Sequence, residues 1–313
     1  MTNSGAALRP TNLPQDLTAV ADLVELCFEK TLDDDGRSFI RNMRLSAKKP
    51  RSLGGVSRLS PSLTGYVWEE DQRVVGNLSM IPVVVRHKKS YLIANVAVHP
   101  DYRGRGIAHK LTQAALELIR KRRVTTACLQ VRDDNQAAIQ LYQSYGFAEQ
   151  ARRTVWHSRS SLVDAALPEG FKITERRRAD WSKQKAALQQ IYPPEVVWNL
   201  ALDIEMFAPG IIGGVWRGLN EHRTRQWSLR QQGKWCGSLC YQSSYLQADW
   251  LWLAAPPESR EDAIRALLPH ARRERSSRRT LALNYPAGEH QDVFESAGFH
   301  PHQTLIWMQA EIE

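Results

Sequence analysis

The sequence predicts a mixed α/β protein made of two domains with the same order of elements. Three observations predict it. The 313 residues are enough for two ordinary cores. Segments of β-branched, alternating character are interleaved with segments apolar at helical spacing. The stretch Tyr142-Gln-Ser-Tyr-Gly-Phe147 returns as Phe294-Glu-Ser-Ala-Gly-Phe299 behind a similar run of elements, a mark of duplication.

In the first half, residues 6–10 read as a short opening strand. Residues 14–30 follow as a helix with Leu17, Val20, Ala21, Val24 and Phe28 a turn apart, and 37–47 as a second helix. Residues 48–61, rich in Lys, Arg, Ser and Gly, read as loop. Strands are expected over 65–69 and 74–86, joined by a polar turn. Residues 91–98 form another, β-branched at Ile93, Val96 and Val98 and closed by Pro100. An amphipathic helix runs from Ile107 to about Lys121, and a strand covers 125–131. Asn135 is placed to cap a short helix with Ala138, Ile139 and Tyr142 on its inner stripe, stopped at Gly146. Residues 147–157 are the expected closing strand.

Between strand 91–98 and its helix lies Arg103-Gly-Arg-Gly106. Glycines there allow a tight turn and leave amides unobstructed, just ahead of the positive end of a helix dipole. Such a turn holds a phosphate, and Arg103 and Arg105 reinforce the sign. No Gly-Lys-Ser/Thr follows, and the third glycine and ribose-binding acid of a dinucleotide fingerprint are missing.

What remains is Arg-x-x-Gly-x-Ala over Arg103, Gly106 and Ala108, set in Val-x-Pro-x-Tyr-Arg-Gly-x-Gly-Ile-Ala. Here the chain resembles the GNAT (Gcn5-related) N-acetyltransferase family. Asn135, Ala138, Leu141, Tyr142, Gly146 and Phe147 resemble that family's second signature. The resemblance covers residues 5–157. It implies a mixed, mainly antiparallel sheet flanked by helices, in which strands 91–98 and 125–131 splay around acetyl-CoA. Val96, Ala97 and Val98 would meet the pantetheine, with Val98 N–H polarising the acetyl carbonyl. Arg103, Gly104, Arg105, Gly106, Ile107 and Ala108 would hold the pyrophosphate. Tyr142 would be the acid for the leaving thiolate, and Asn135 would bond the cofactor's amide region, a role compatible with capping its helix.

The resemblance also implies acetyl transfer to a primary amine of a small molecule or peptide. Strand 91–98 offers no carboxylate base, so a water-relayed proton path is expected, with Asn95 able to position a water. Asp33, Asp34 and Asp35 border the expected acceptor side, where they either attract a cationic amine or form a solvated turn.

In the second half, 158–170 reads as a linker. The order then recurs: strand 171–175, helix 179–191, a second helix 194–207 opening on a proline, hairpin 226–231 and 234–242, strand 248–254, helix 258–273, strand 280–285 and short helix 289–297. Set against the first copy, Glu261 and Ala263 replace Gly104 and Gly106, Ala287 replaces Asn135 and Phe294 replaces Tyr142. The expected division is therefore a catalytic domain over 1–157 and a degenerate GNAT-like copy over 171–313 that completes the acceptor site or anchors a dimer. Trp250 and Trp252 should share one strand face.

Net charge is +9, with +8 of it in residues 1–157. That suits a polyanionic cofactor. The basic runs are not interleaved with aromatics, so no nucleic-acid partner is expected. No apolar run approaches the ~20 residues of a membrane span, and residues 1–10 show no signal peptide. Four scattered cysteines suggest neither zinc nor disulfides, so a reducing, cytoplasmic setting without a metal is expected, as monomer or homodimer. The competing readings are an acetyl-CoA sensor without turnover and a basic nucleic-acid binder.

Overall fold

The computed structural model describes residues 5–29, 32, 34–47, 64–159, 167, 169–210, 223–245, 247–275 and 279–313. The chain divides into two compact units, Met1–Gln150 with Trp307–Glu313, and Ala151–Ile306.

In unit 1, strands β1 (Ala7–Pro10), β2 (Thr64–Glu70), β3 (Arg73–Val85), β4 (Lys88–Val98) and β5 (Thr126–Arg132) lie side by side in that order. All pairs are antiparallel except β4 with β5. The β2–β3 and β3–β4 turns each carry two residues at positive φ, Asp71-Gln72 and Arg86-His87, the backbone that matches strand twist in a two-residue hairpin. Helices α1 (Leu13–Phe28) and α2 (Asp34–Ala47) bury Leu17, Val20, Val24, Ile40 and Met43 against Val67 and Ala97. Arg9 of β1 holds Asp16 of α1 through two bonds, 2.7 and 2.9 Å, and Asn12 N–H adds a third at 2.7 Å. Helix α3 (Ile107–Lys121) crosses β3 at Gly76, where a Cβ would stand 2.8 Å from Ile107 and 3.2 Å from Leu111. Helix α4 (Gln136–Gln143) is short and ends before Gly146.

The far edge of β5 is the first departure from expectation. Residues 147–157 do form a strand, β6 (Ala148–Ser158), but from Ala151 onward it belongs to unit 2. The neighbour of β5 is instead β12 (Phe299–Glu311), whose residues from Trp307 belong to unit 1. Ile312 N–H bonds Thr125 carbonyl at 2.8 Å, and Arg120 bonds the carbonyl of Glu313. Trp307, Met308, Ala310 and Ile312 are buried. The border expected at 157/158 therefore gives way to an exchange of closing strands. Both β6 and β12 carry a buried aliphatic–Trp pair, Val155-Trp156 and Ile306-Trp307, so alternation specifies a buried face for each but not which sheet edge it covers.

Unit 2 repeats the order. Strands β7 (Phe171–Glu175), β8 (Thr224–Gln231), β9 (Lys234–Gln242), β10 (Ala248–Ala254) and β11 (Thr280–Pro286) carry helices α5 (Trp181–Ile191), α6 (Pro194–Val197), α7 (Arg260–Glu274) and α8 (Gln291–Ser296). Again one pair is parallel, β10 with β11, and β6 lies on the other side of β11. Trp250 and Trp252 stack at 5.4 Å as the alternation implies.

The helix expected over 194–207 is interrupted. Trp198 indole takes the Glu195 carbonyl at 2.7 Å, and Asp203 accepts Glu205 N–H to start a separate 3₁₀ turn over Ile204–Phe207. Side chains that bond locally to backbone compete with a continuing helix. Most of the expected linker and all of loop 48–61 lie outside the described residues.

Candidate active site

The site begins where β4 and β5 stop pairing. They share bonds only at Tyr91, Leu92 and Ile93, against Ala127, Cys128 and Leu129. A bulge explains the parting: β3–β4 register shifts between Asn77 and Ser79, opposite Asn95, which sits at φ 52°. Asn77 donates to the Asn95 carbonyl at 2.8 Å and holds the distortion. Bulges bend the strand that carries them. Beyond it, His99 N–H bonds Val75 at 2.8 Å, so Ala97 and His99 turn their backbone toward β3 and Val98 turns its own toward the opening. Ala97 itself packs into the α1–α2 core.

Sequence-distant pieces meet at this opening. A cleft of about 500 Å³ gathers Val96 and Val98, then Arg103, Gly104, Gly106, Ile107 and Ala108, and finally Tyr142. Tyr102, His109, Ala137, Ala138 and Leu141 complete its wall. Gly104 and Gly106 sit at φ 76° and 73°, and Gly106 caps α3 without a side-chain bond. A Cβ at either glycine would meet nothing within 4 Å, so the backbone faces open space. The first N–H groups of α3 have no intrahelical acceptor, which leaves a cluster of donors at the dipole's positive end. This is an arrangement for an anion, and it fits a diphosphate.

Side chains around the cleft bond as follows. Arg105 turns aside to Glu70 at 3.2 Å and to the Asp101 carbonyl at 3.1 Å, and lies over the Tyr102 ring. Arg103 donates its Nε to the Val98 carbonyl at 3.1 Å. Asn135 accepts from Ala138 N–H at 3.2 Å and caps α4. Asn95 acts through its backbone in the bulge. Asp33 lies outside the described residues, and Asp34 and Asp35 open α2 with side chains that also lie outside the description. His99 accepts from Asp101 N–H at 3.3 Å.

Tyr142 is buried, edge-on to Phe147 at 5.9 Å, and its hydroxyl makes no hydrogen bond among the described residues. Burial pushes its phenol well above the usual tyrosine range. Cys27, in the last turn of α1, makes a contact with the cleft's Val98 that sequence reasoning missed. Its Sγ stands 3.2 Å from the Val98 carbonyl, and burial pushes the thiol up. Seventy-one residues separate the two, so no local pattern connects them.

Unit 2 parts its strands in the same way, since β10 and β11 pair only from Ala248 with Thr280 to Leu251 with Leu283. Beyond that point side chains of unit 2 bond the backbone of both strands. Leu253 N–H is bonded by the Tyr192 hydroxyl at 3.2 Å. Buried Arg153 donates to the Ile191 carbonyl at 3.0 Å and to the Asn284 side chain, and burial lowers its guanidinium to about 10. Phe294 stacks on Trp156 at 4.7 Å. The N-terminus of α7 carries Glu261 and Asp262 in its first turn instead of a glycine turn.

Among the described residues no His, Cys, Asp and Glu cluster suits a metal ion, and no helix is long and apolar enough to cross a membrane. Residues 20–147 match the family described as Acetyltransferase (GNAT) family. The ribosomal protein bS18-alanine N-acetyltransferase of Escherichia coli K12 is 38% identical over 78 residues, which are 24% of this chain and 53% of that protein. The chain thus spans about half the length of that relative. Among solved structures, a GCN5-related N-acetyltransferase from Sphaerobacter thermophilus is 17% identical, with TM-score 0.62 over 98% of this chain and 96% of its own. A tandem GNAT protein from the clavulanic acid biosynthesis pathway is 17% identical, with TM-score 0.55 over 99% of each chain. These two are likenesses of fold.

Proposed function

We propose that unit 1, whose residues 20–147 match the GNAT acetyltransferase family, moves an acetyl group from acetyl-CoA to a primary amine of a small molecule or peptide. The observation that carries this is the convergence on one cleft of the unobstructed Gly104–Gly106 turn, the end of β4 beyond its pairing with β5, and Tyr142. The amides ahead of α3 bind the diphosphate. Acetyl-CoA supplies an activated acyl carbon when bound. Val98 N–H faces the opening and is the donor for the acyl oxygen, a role of the oxyanion-stabilising kind.

Tyr142 keeps its proton across the physiological range and offers it where a leaving sulfur stands. A thiol of pKa ~8.5 is a stronger acid than this phenol, so the hydroxyl acts first as a hydrogen-bond donor that stabilises the thiolate. The amine's proton leaves through water. Unit 2, where Tyr192 and Arg153 bond the corresponding strand ends and Phe294 stands in place of Tyr142, we read as a degenerate copy that serves the acceptor side or a dimer. The four free cysteines suit a reducing, cytoplasmic setting.

The test is calorimetric titration with acetyl-CoA, joined to a free-thiol assay over polyamines, aminoglycosides, amino acids and peptides. Gly106→Glu places a carboxylate in the anion site on a strained left-handed backbone and should abolish binding; unchanged affinity would refute the assignment. Binding without thiol release from any amine would support a sensing module instead.

A further inference from the structure

Two side chains from separate elements end on a single carbonyl oxygen of the cleft. Cys27, closing α1, donates to Val98 O from 3.2 Å, and Arg103, opening the glycine turn, donates Nε to the same atom from 3.1 Å. A carbonyl oxygen has two lone pairs, and here both are engaged. The other polar group of that residue, Val98 N–H, is the one left facing the opening. The thiol stays protonated near neutral pH, since burial raises it more than Arg103 lowers it, so it is a donor rather than a nucleophile.

We infer that Cys27 and Arg103 are positioning residues that clamp Val98, fixing the direction of its N–H and reserving it for the acyl oxygen. The inference rests on the reading of the cleft as an acetyl-CoA site. It divides the labour within Val98: the carbonyl is tied to the protein, and the N–H alone meets ligand. It also gives Arg103 a task beyond its charge, because a lysine retains the charge but has no Nε at this position. A half-buried thiol at the end of α1 thereby links the acceptor-side helices to the atom that polarises the acyl group.

The experiment uses the full chain and [1-¹³C]acetyl-CoA, reading the carbonyl ¹³C shift and infrared stretch of the bound probe beside calorimetric affinity. In Cys27→Ala the displacement of the bound carbonyl signal should fall to about half, while affinity changes less than about twofold, as for loss of one modest hydrogen bond acting through another group. Cys27→Ser keeps a donor and should restore the signal. Arg103→Lys should lose it as Cys27→Ala does, with a separate loss of affinity. A carbonyl signal identical in wild type, Cys27→Ala and Arg103→Lys overturns the inference, as does a serine variant no better than alanine. Thermal melts identify any variant that fails to fold; in that event Cys27→Val, of similar volume without a donor, replaces alanine. If wild type binds no acetyl-CoA, the reading of the cleft itself fails; intact binding with an insensitive carbonyl defeats only the clamp.

Discussion

Deleting Trp307–Glu313 from the full chain should unfold unit 1, although these seven residues lie more than 150 positions from its last helix. In the structure they cover the edge of β5. Trp307, Met308 and Ile312 are 2%, 1% and 8% exposed. Truncating a buried Trp costs about 3–5 kcal/mol, and a buried Met or Ile about 2–5 each. Because they are near neighbours in one segment the costs do not simply add. Even so, roughly 7 kcal/mol at the low end rivals the ~5–15 kcal/mol by which a whole domain is stable. The loss of the Ile312–Thr125 bond also leaves β5 as a bare edge.

Hydrogen exchange on β5 amides is the direct assay, with acetyl-CoA calorimetry as the functional companion. Protection of β5 should collapse and binding should vanish. Trp307→Ala alone should leave a folded unit, less stable by about 3–5 kcal/mol. Unchanged β5 protection in the deletion would refute the strand assignment. For the same reason a chain cut after His157 is a poor test of the second unit's role, since it also removes the strand that closes the first.

Two further outcomes are expected. Tyr142→Phe should lower turnover by about 100-fold with acetyl-CoA affinity nearly intact. Because burial raises the phenol, wild-type turnover should show no loss attributable to tyrosine ionisation below about pH 10; a deprotonation limb near neutral pH that vanishes in the Phe variant would show the contrary. Asp16→Asn should destabilise unit 1 by about 2 kcal/mol, since it breaks a charge-assisted bidentate pair with Arg9. Burial raises the Asp16 carboxyl, but Arg9 and Asn12 N–H outweigh it, so its folded pKa lies below the unfolded value. The stabilisation is therefore complete above about pH 4 and lost as pH falls through the folded pKa. The gap in urea midpoint between wild type and variant should narrow as pH falls below about 4; a gap that does not narrow at all would count against the pair.

The anion turn, Tyr142 and the Asn135 cap were readable along the chain because each depends on neighbours within a few positions. Left-handed backbone at Gly104 and Gly106, and an N-cap three residues from its donor, are local events. The recurring order of elements was readable for the same reason, as a repeated order of periodic segments. Nothing local distinguishes β6 from β12 as the cover for β5, because alternation specifies the buried face and is silent about the edge. Nor does spacing bring Cys27 to Val98 across 71 residues, or Tyr192 to Leu253 across 61. Those contacts are made only when helices settle on a sheet and parted strands leave polar backbone to be satisfied. In unit 1 that backbone faces an open cleft, while in unit 2 Tyr192 and Arg153 bond it at Leu253 and Asn284.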